Sequence, residues 1–568
     1  MTPLAADDPA APVGVQPSEE AVSSLRDLPD GLGNPGSDPK PVAVLICHGM
    51  GQQVPFETLA SVADILHEPA AAGGAVPVVR HVHFVNPADP KRSIWLPRAE
   101  ITVRGPAGQA LRQVHVYEAY WAPLTEGRIS LSEVMWFLVT AGLRGLRPQM
   151  VHFKRWVFGQ FQTYDRPIST PLGLLATLLV IAALVAINAL LTLVVGSNAL
   201  ALQQTAGAAG PDHRLLFQLT VDLGWLLAAG VVTAVPVLWS DRRRVQAHAA
   251  RPPRPARPGL VDRLAGVALV ALGVLVVLVA VAMAYHYLKL REAREADISG
   301  IWTLYPFYSR FDPRYPALAT HALPWWLLLL VWGTVLGASF WAREFFVQYL
   351  GDVAIYIDSH KVDKFNKIRD QIKHMAFETA CTIYGARAAG PARGGPLPFA
   401  YDQVVLAGHS LGSVITYDAL NATLNVDDTL NGRLRVAERT GSLLTFGSPL
   451  DKTAFLFNSQ QPKAALRVGL GASVQPMIRS LLVRSQVHWV NLYSPSDIIS
   501  GALGFYELPP SVRAAAPAAV PDPQDVRVTN LVDPEAVTPL QAHTQYWSNA
   551  LLAQELRRAI FRADALRS

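Results

Sequence analysis

A serine in residues 401–420 has the spacing and surroundings that suit nucleophilic catalysis. Ser410 lies in the G-x-S-x-G pentapeptide 408–412, which follows the apolar run 404–407 and precedes a segment with a helix-compatible pattern. A strand, a tight turn and a helix in this order expose a serine hydroxyl, and the flanking glycines avoid steric clash at the turn. The pentapeptide alone is common by chance, but this context predicts that Ser410 is a nucleophile.

A serine nucleophile needs backbone N–H donors for the negative charge that develops on the substrate oxygen. Leu411 directly follows Ser410 at a predicted helix N-terminus, which also favours negative charge. Met50 follows the apolar run 42–47, a predicted buried strand, and we expect its N–H to be the second donor. The alternative is a glycine-rich turn with no catalytic role. The motif residues expected to support these two turns are His48, Gly49, Gly51, Gly408, His409 and Gly412.

An acid should follow the nucleophile, at the end of a later strand. The segment 487–493 has a strand pattern and leads into Ser494-Pro-Ser-Asp497, so Asp497 is predicted to orient the catalytic histidine. Asp451 follows the preceding predicted strand, 443–446, and remains the alternative acid.

Only two of the fifteen histidines, His488 and His543, lie beyond Ser410 in the chain. His488 falls inside a predicted strand ahead of the acid. His543 follows the predicted strand 526–532, and we therefore predict that it is the general base.

The predicted chemistry requires no cofactor and no metal. The sequence has no cluster of His, Cys, Asp and Glu with metal-ligand spacing, and no nucleotide-binding glycine loop after a strand. The pI of about 9.1 is basic, but a net charge of +5 over 568 residues is too small to predict a nucleic-acid partner. The only cysteines, Cys47 and Cys381, exclude a disulfide-stapled secreted scaffold and favour a reducing compartment.

The chain is too apolar and too poorly charged for an ordinary soluble protein of this size. Hydrophobic residues make up 51% of the chain and charged residues 16%. A helix that crosses a bilayer needs about 20 apolar residues. Four segments meet this requirement, and we predict membrane spans at 172–196, 215–239, 264–286 and 323–341.

Basic residues predict the orientation of these spans, because cytoplasmic loops carry an excess of Lys and Arg. Residues 241–263 hold two aspartates and seven arginines: Arg242, Arg243, Arg244, Arg251, Arg254, Arg257 and Arg263. This loop and both termini are therefore predicted to be cytoplasmic, in a polytopic protein of the inner (cell) membrane. The predicted strand 42–47, which leads to Met50, precedes the spans, and Ser410 follows them. Since Met50 and Ser410 must meet on one side of the membrane, the number of crossings must be even, and four satisfies this.

The predicted organisation is thus one α/β domain interrupted by a membrane insertion. Residues 1–40 are a disordered leader, and residues 126–170 are an amphipathic segment at the membrane interface or, alternatively, helices packed on the domain. The predicted divisions are 1–40, 41–125, 126–170, 171–344 and 345–568.

Three motifs resemble, in this order, those of the lipase-like α/β-hydrolases. They are Leu45-Ile-Cys-His-Gly-Met-Gly-Gln52, Gly351-Asp-Val-Ala-Ile-Tyr356 and Gly408-His-Ser-Leu-Gly-Ser-Val-Ile-Thr-Tyr-Asp418. The nearest likeness is to the intracellular phospholipases A that carry a DDHD domain, although the Asp-Asp-His-Asp tetrad is missing. Thr445-Phe-Gly-Ser-Pro449 is also similar to lipase sequences. The resemblance implies an α/β-hydrolase fold and a serine esterase that acts on acyl-ester lipids, with Ser410 as the nucleophile.

The expected function is therefore hydrolysis of carboxylic esters, with membrane lipids as the substrate class and the bilayer as a partner. Two alternatives stay open: a catalytically inactive membrane scaffold with a hydrolase-like domain, and a lipid acyltransferase that uses the same acyl-enzyme.

Overall fold

A computed structural model describes most of the 568 residues. The described residues are 14–15, 40–51, 54–67, 77–85, 94–104, 111–148, 152–204, 212–249, 259–292, 325–357, 363–387, 398–460, 465–514, 526–539 and 541–565. The predicted leader, 1–40, lies outside them except for residues 14, 15 and 40.

The chain forms an α/β structure around a nine-stranded sheet, with a separate two-stranded sheet. The strands are β1 Gly14–Val15, β2 Val42–Cys47, β3 Val78–Val85, β4 Ile94–Arg104, β5 Leu111–Ala119, β6 His152–Val157, β7 Gln160–Asp165, β8 Val404–His409, β9 Thr440–Phe446, β10 His488–Tyr493 and β11 Val528–Val532. In the main sheet the order is β1-β3-β4-β5-β2-β8-β9-β10-β11, and β6 pairs with β7. The run from β5 to β11 is parallel, whereas β1, β3 and β4 pair antiparallel. Strands from both sides of the apolar middle segment therefore share one sheet.

Helices cover both faces of this sheet, and further helices pack in a separate apolar core. They are α1 Glu57–Leu66, α2 Leu131–Gly145, α3 Ser169–Gln204, α4 Asp212–Ala249, α5 Leu260–Glu292, α6 Trp325–Ile357, α7 Asp363–Gly385, α8 Leu411–Thr429, α9 Val436–Arg439, α10 Leu450–Gln460, α11 Ala465–Ser473, α12 Pro476–Arg479, α13 Leu481–Gln486, α14 Pro510–Ala514, α15 Ala542–Gln545 and α16 Ala550–Ala565. Short 3₁₀ turns occur at Ala122–Leu124, Gly504–Tyr506 and Tyr546–Ser548.

The strand β2 explains why the sheet needs helices on both sides. All six of its residues are buried, and successive side chains of a strand point to opposite faces. Val42, Val44 and Ile46 pack in a core with α1 and α16, whereas Ala43, Leu45 and Cys47 pack in the core on the other face with α7 and α8. Such continuous apolar strands are typical of parallel sheets that are covered on both faces.

The apolar middle segment forms long helices. Among the described residues, three helices are long and apolar enough to cross a membrane: Ser169–Leu193, Asp222–Gln246 and Leu260–Tyr285. They overlap the first three predicted spans, with ends that differ by one to seven residues. Most of their side chains are not buried by protein, and a large exposed apolar surface is unfavourable in water.

The fourth predicted span, 323–341, coincides with the first half of α6, and its residues 323 and 324 lie outside the described part. The described part of α6 is not among the three helices that are long and apolar enough to cross a membrane. Its Trp332 and Val335 nevertheless pack in one apolar core with α3, α4 and α5. Its second half runs on into the α/β core, where Ile355 and Tyr356 are buried.

The predicted interfacial segment, 126–170, forms a helix and a hairpin. Ser130 and Glu133 make a capping box at the start of α2, as the Ser-x-x-Glu spacing favours. One face of α2 is buried in the α/β core through Val134, Phe137 and Leu138. Residues 152–165 form the β6–β7 hairpin rather than a helix.

Candidate active site

Ser410 lies at the sharp turn between β8 and α8. Its φ of 53° is in the left-handed region, which costs a non-glycine residue roughly 1–3 kcal/mol. The flanking glycines are required by close approach: a Cβ atom on Gly412 would lie 2.1 Å from the His48 carbonyl oxygen, and one on Gly408 would lie 2.6 Å from the Ser413 Cα. The Ser410 N–H donates to the Phe446 carbonyl at 3.0 Å. The sequence pattern and the backbone therefore agree on the strand, turn and helix.

A chain of hydrogen bonds joins Ser410 to His543 and Asp497, which lie far apart in the sequence. The distance from Ser410 Oγ to His543 Nε2 is 2.7 Å, and that from His543 Nδ1 to Asp497 Oδ2 is 2.9 Å. With the proton on Nδ1, the imidazole donates to the carboxylate and accepts from the serine hydroxyl. All three residues are buried. This is the order of contacts in which a histidine can remove a serine proton.

The surroundings of Asp497 keep its carboxylate ionised. Burial alone would raise the pKa of Asp497, but the hydrogen bond and charge of His543 and the Ile499 N–H outweigh it and lower the pKa to about 2. The Ile499 N–H donates to Oδ1 at 2.9 Å, and the Tyr546 hydroxyl donates to Oδ2 at 3.0 Å. An ionised acid beside Nδ1 favours the tautomer that leaves Nε2 free to accept the serine proton.

Asp451, the alternative acid, has other partners. Its Oδ2 accepts hydrogen bonds from the Tyr164 hydroxyl at 2.5 Å and from the Phe505 N–H at 3.0 Å. Burial raises the pKa of Asp451 to about 6, although these hydrogen bonds oppose the shift. The geometry therefore brings Asp497, and not Asp451, to the imidazole of His543.

The loop after β2 lies against Ser410, where the second N–H donor was expected. A Cβ atom on Gly49 would be 3.0 Å from the Ser410 Cβ, and Met50 is buried. Gly51 has a φ of 94°, a conformation that favours glycine. Leu411 is the first residue of α8, where a backbone N–H has no acceptor within the helix.

His48 and His409 lie beside the reacting groups and have structural contacts. His48 Nε2 accepts the Trp121 N–H at 3.1 Å, and its ring stacks on the Trp121 indole. His409 Nε2 donates to the His543 carbonyl at 2.8 Å. Burial lowers the pKa of His48 to about 4 and that of His409 to about 3, so both imidazoles are neutral at pH 7.

Two residues near the site were not identified from the sequence. Asp352 of α6 accepts the Gly51 N–H at 2.9 Å and so fixes the loop that carries Met50. Tyr546, three residues after His543, binds the carboxylate of Asp497 and also contacts Ser500 at 3.0 Å. The motif Gly351-Asp-Val-Ala-Ile-Tyr356 pointed to the region of Asp352 but assigned it no role. Nothing local to the sequence distinguishes Tyr546 from other core tyrosines.

A cavity of about 280 Å³ lies beside α8, one turn beyond Ser410. Its walls combine apolar side chains with basic ones. They include Val414, Leu450, Ala454, Phe505, Arg369 and Lys373. Lys373 forms an ion pair with Asp418 at 2.9 Å, so part of this positive charge is compensated.

Groups of three or more metal-ligating side chains do not occur among the residues that the structure describes. No family model, no curated protein and no solved structure matches this chain.

Proposed function

We propose that the protein is a membrane-bound serine hydrolase that cleaves carboxylic esters, with membrane lipids as its substrate class. The observation that carries the proposal is the chain of contacts Ser410 Oγ, His543 Nε2, His543 Nδ1 and Asp497 Oδ2, at 2.7 and 2.9 Å, on a strained turn between a parallel strand and a helix. The sheet and its covering helices are then those of an α/β-hydrolase domain.

In the proposed mechanism, Ser410 attacks the acyl carbonyl while His543 takes its proton. The N–H groups of Met50 and Leu411 hold the oxyanion. His543 then protonates the leaving alcohol, and an acyl-enzyme remains. Water, activated by the same histidine, attacks the acyl-enzyme, and the fatty acid leaves with the Ser410 proton restored.

The membrane helices support a lipid substrate. We propose four crossings, with α6 as the fourth, the N- and C-termini and the α/β domain in the cytoplasm, and the inner membrane as the location. The arginine-rich end of α4 contacts the α/β domain, which supports placing both on the same side. The apolar wall of the cavity beside α8 suits an acyl chain.

Purified full-length protein in detergent micelles tests the proposal. Wild type should hydrolyse short p-nitrophenyl esters and react with a fluorophosphonate probe, whereas Ser410→Ala should do neither. Ser473→Ala, which changes an exposed serine on α11, is the matched control and should behave like wild type.

The substrate class is tested in vesicles of defined phospholipids. Release of free fatty acid by wild type, but not by Ser410→Ala, supports the hydrolase. Transfer of the acyl group to a second lipid without fatty-acid release identifies an acyltransferase instead. A folded wild-type protein that the probe does not label would be an inactive scaffold.

A further inference from the structure

The loop that carries His543 rests on the end of a membrane helix. Arg244, near the C-terminal end of the candidate span 222–246, is 9% exposed. Its Nε donates to the Glu535 carbonyl at 3.1 Å. One of its terminal nitrogens lies 2.6 Å from the Ser548 Oγ and 2.7 Å from the Asn549 Oδ1. The guanidinium therefore joins the chain ahead of His543 to the chain behind it.

The same nitrogen also lies 3.3 Å from the carbonyl of Gln545, two residues after His543. Residue 545 is in turn bonded to the start of the loop, because its side-chain oxygen accepts the N–H groups of Val537 and Thr538 at 3.1 and 3.2 Å. Arg244 thus acts on both ends of a closed loop, with His543 between them.

A second contact, from the same end of α4, also joins this helix to the loop that carries His543. Ser240, one turn before Arg244, bonds to Asp262 at the start of α5 and lies 3.4 Å from the Thr538 hydroxyl. Asp262 also accepts the Gly259 N–H at 2.6 Å. This carboxylate therefore bonds both to the residue that precedes α5 and to Ser240 of α4. The end of α4, bonded to the start of α5, therefore contacts this loop at residues 535, 538, 545, 548 and 549.

We infer that Arg244 is a positioning residue for the general base, so that the α4–α5 membrane hairpin is part of the active-site framework as well as an anchor. The inference rests on the proposed function. Its physical basis is the planar guanidinium, which can satisfy several fixed acceptors at once. Without Arg244, the acceptors at 535, 545, 548 and 549 lose a common donor, and the loop no longer holds His543 Nε2 at 2.7 Å from Ser410 Oγ.

The expected signature is a loss of kcat with little change in KM, because the contacts of Arg244 are to the loop that carries the base. A misplacement of about 1 Å at a reacting group costs on the order of 100-fold in rate. Arg244→Gln should therefore lower kcat for a soluble p-nitrophenyl ester about 100-fold. Arg244→Lys should lose nearly as much, since an ammonium cannot reproduce the planar fork.

The matched control is Arg242→Gln, which removes the same charge from an exposed position on the same helix. It should retain the kcat of wild type. Methylguanidinium added to Arg244→Ala should restore part of the lost kcat, which a general weakening of the fold would not allow. All variants are compared as full-length protein in micelles, and thermal unfolding identifies any that fail to fold.

A wild-type kcat in folded Arg244→Gln, or an equal loss in Arg242→Gln, would overturn the inference. If Arg244→Gln does not fold, Ser548→Ala decides the question, because it removes one partner of the guanidinium and leaves the charge in place. A several-fold loss of kcat in Ser548→Ala supports the inference, and an unchanged kcat contradicts it. Failure of the proposed function is recognised separately, by activity that survives Ser410→Ala.

Discussion

At the scale of single residues, the pKa values of two buried aspartates, Asp497 and Asp451, are shifted in opposite directions. Asp497 accepts hydrogen bonds from His543, Ile499 and Tyr546, and its pKa falls to about 2. Asp451 is desolvated beside Tyr164 and Phe505, and its pKa rises to about 6. Both carboxyls are therefore mainly ionised at pH 7, Asp497 more completely, but only Asp497 contacts His543 and can stabilise the imidazolium that forms when this histidine takes a serine proton.

Asparagine substitutions separate the two aspartates. Asp497→Asn should lower kcat by roughly three to four orders of magnitude, because the amide stabilises the wrong tautomer of His543. Asp451→Asn, the matched control, should retain most of the activity, since its contacts are to Tyr164 and Phe505. Esterase kinetics on the two purified variants measure the difference. The opposite pattern would assign the acid to Asp451.

At the scale of elements, the site depends on how closely α8 approaches β2. The first turn of α8 passes so near the end of β2 that Gly412 has backbone carbonyls of residues 47 and 48 within 2.3 Å of where a Cβ would lie. Both atoms belong to the main chain, so neither can move aside as a flexible side chain would. The approach places the N-terminus of α8 beside the loop that carries Met50.

Gly412→Ala should therefore destabilise the protein strongly, because a methyl group cannot fit between α8 and β2. Overpacking of this kind typically costs about 1–3 kcal/mol, and more where backbone must shift. Gly471→Ala in α11, where nothing lies within 4 Å of the added Cβ, should leave the unfolding temperature unchanged or raise it slightly. Thermal unfolding of both variants in the same detergent tests this. An equally stable Gly412→Ala protein would contradict the observed packing.

The strand β5 carries a buried acid that makes stability depend on pH. Glu118 is 3% exposed, and burial raises its pKa from 4.5 to about 7. The folded state therefore favours the neutral carboxyl, so its contribution to stability is complete below pH 4.5 and is lost as the pH rises through 7. Since each pKa unit corresponds to about 1.4 kcal/mol, the loss amounts to roughly 3 kcal/mol.

Glu118→Gln should remove this pH dependence. The variant should unfold at a temperature similar to that of wild type at pH 4.5, and at a higher temperature at pH 8.5. The comparison uses the difference between the two proteins at each pH, so that other titrating groups cancel. A difference that does not grow with pH would show that Glu118 is ionised in the folded protein at little cost.

At the scale of the whole molecule, two loops of the candidate site are held by helices that continue from the apolar bundle of α3, α4, α5 and α6. Asp352 of α6 holds the loop of Met50, and Arg244 of α4 holds the loop of His543. The proposed nucleophile, base and oxyanion donors thus lie on the α/β domain, while two of their supports come from the apolar helices. The proposed topology requires both of these helix ends to be cytoplasmic.

Single introduced cysteines test that topology in intact cells. The native Cys47 and Cys381 are buried, and burial raises the pKa of each thiol to about 12, so they add little background labelling. A membrane-impermeant maleimide should label Gly207→Cys and Ala319→Cys in intact cells. It should label Ala256→Cys and Ser568→Cys only after permeabilisation. If Ala319→Cys is protected, α6 does not cross the membrane as the fourth span.

Much of the arrangement follows from the sequence, because it depends on local patterns. The buried strand Val42–Cys47 is predicted with the bounds that the structure has, and the turn at Ser410 follows from two glycines between an apolar run and a helical pattern. The three helices that are long and apolar enough to cross a membrane follow from length and composition alone. The residues 152–165 were not predicted as a hairpin, because aromatic and basic residues there fit either an interfacial helix or paired strands, and only packing decides between them.

The sequence by itself thus determined the type and order of the candidate catalytic residues: a serine on a tight turn, then acids after later strands, then a histidine after a further strand. Only the tertiary structure decided that Asp497 rather than Asp451 meets His543, and that Asp352, Tyr546 and Arg244 support the site. The physical reason is that these contacts join residues 46 to 305 positions apart, and their energies depend on burial and on distances that no local pattern encodes.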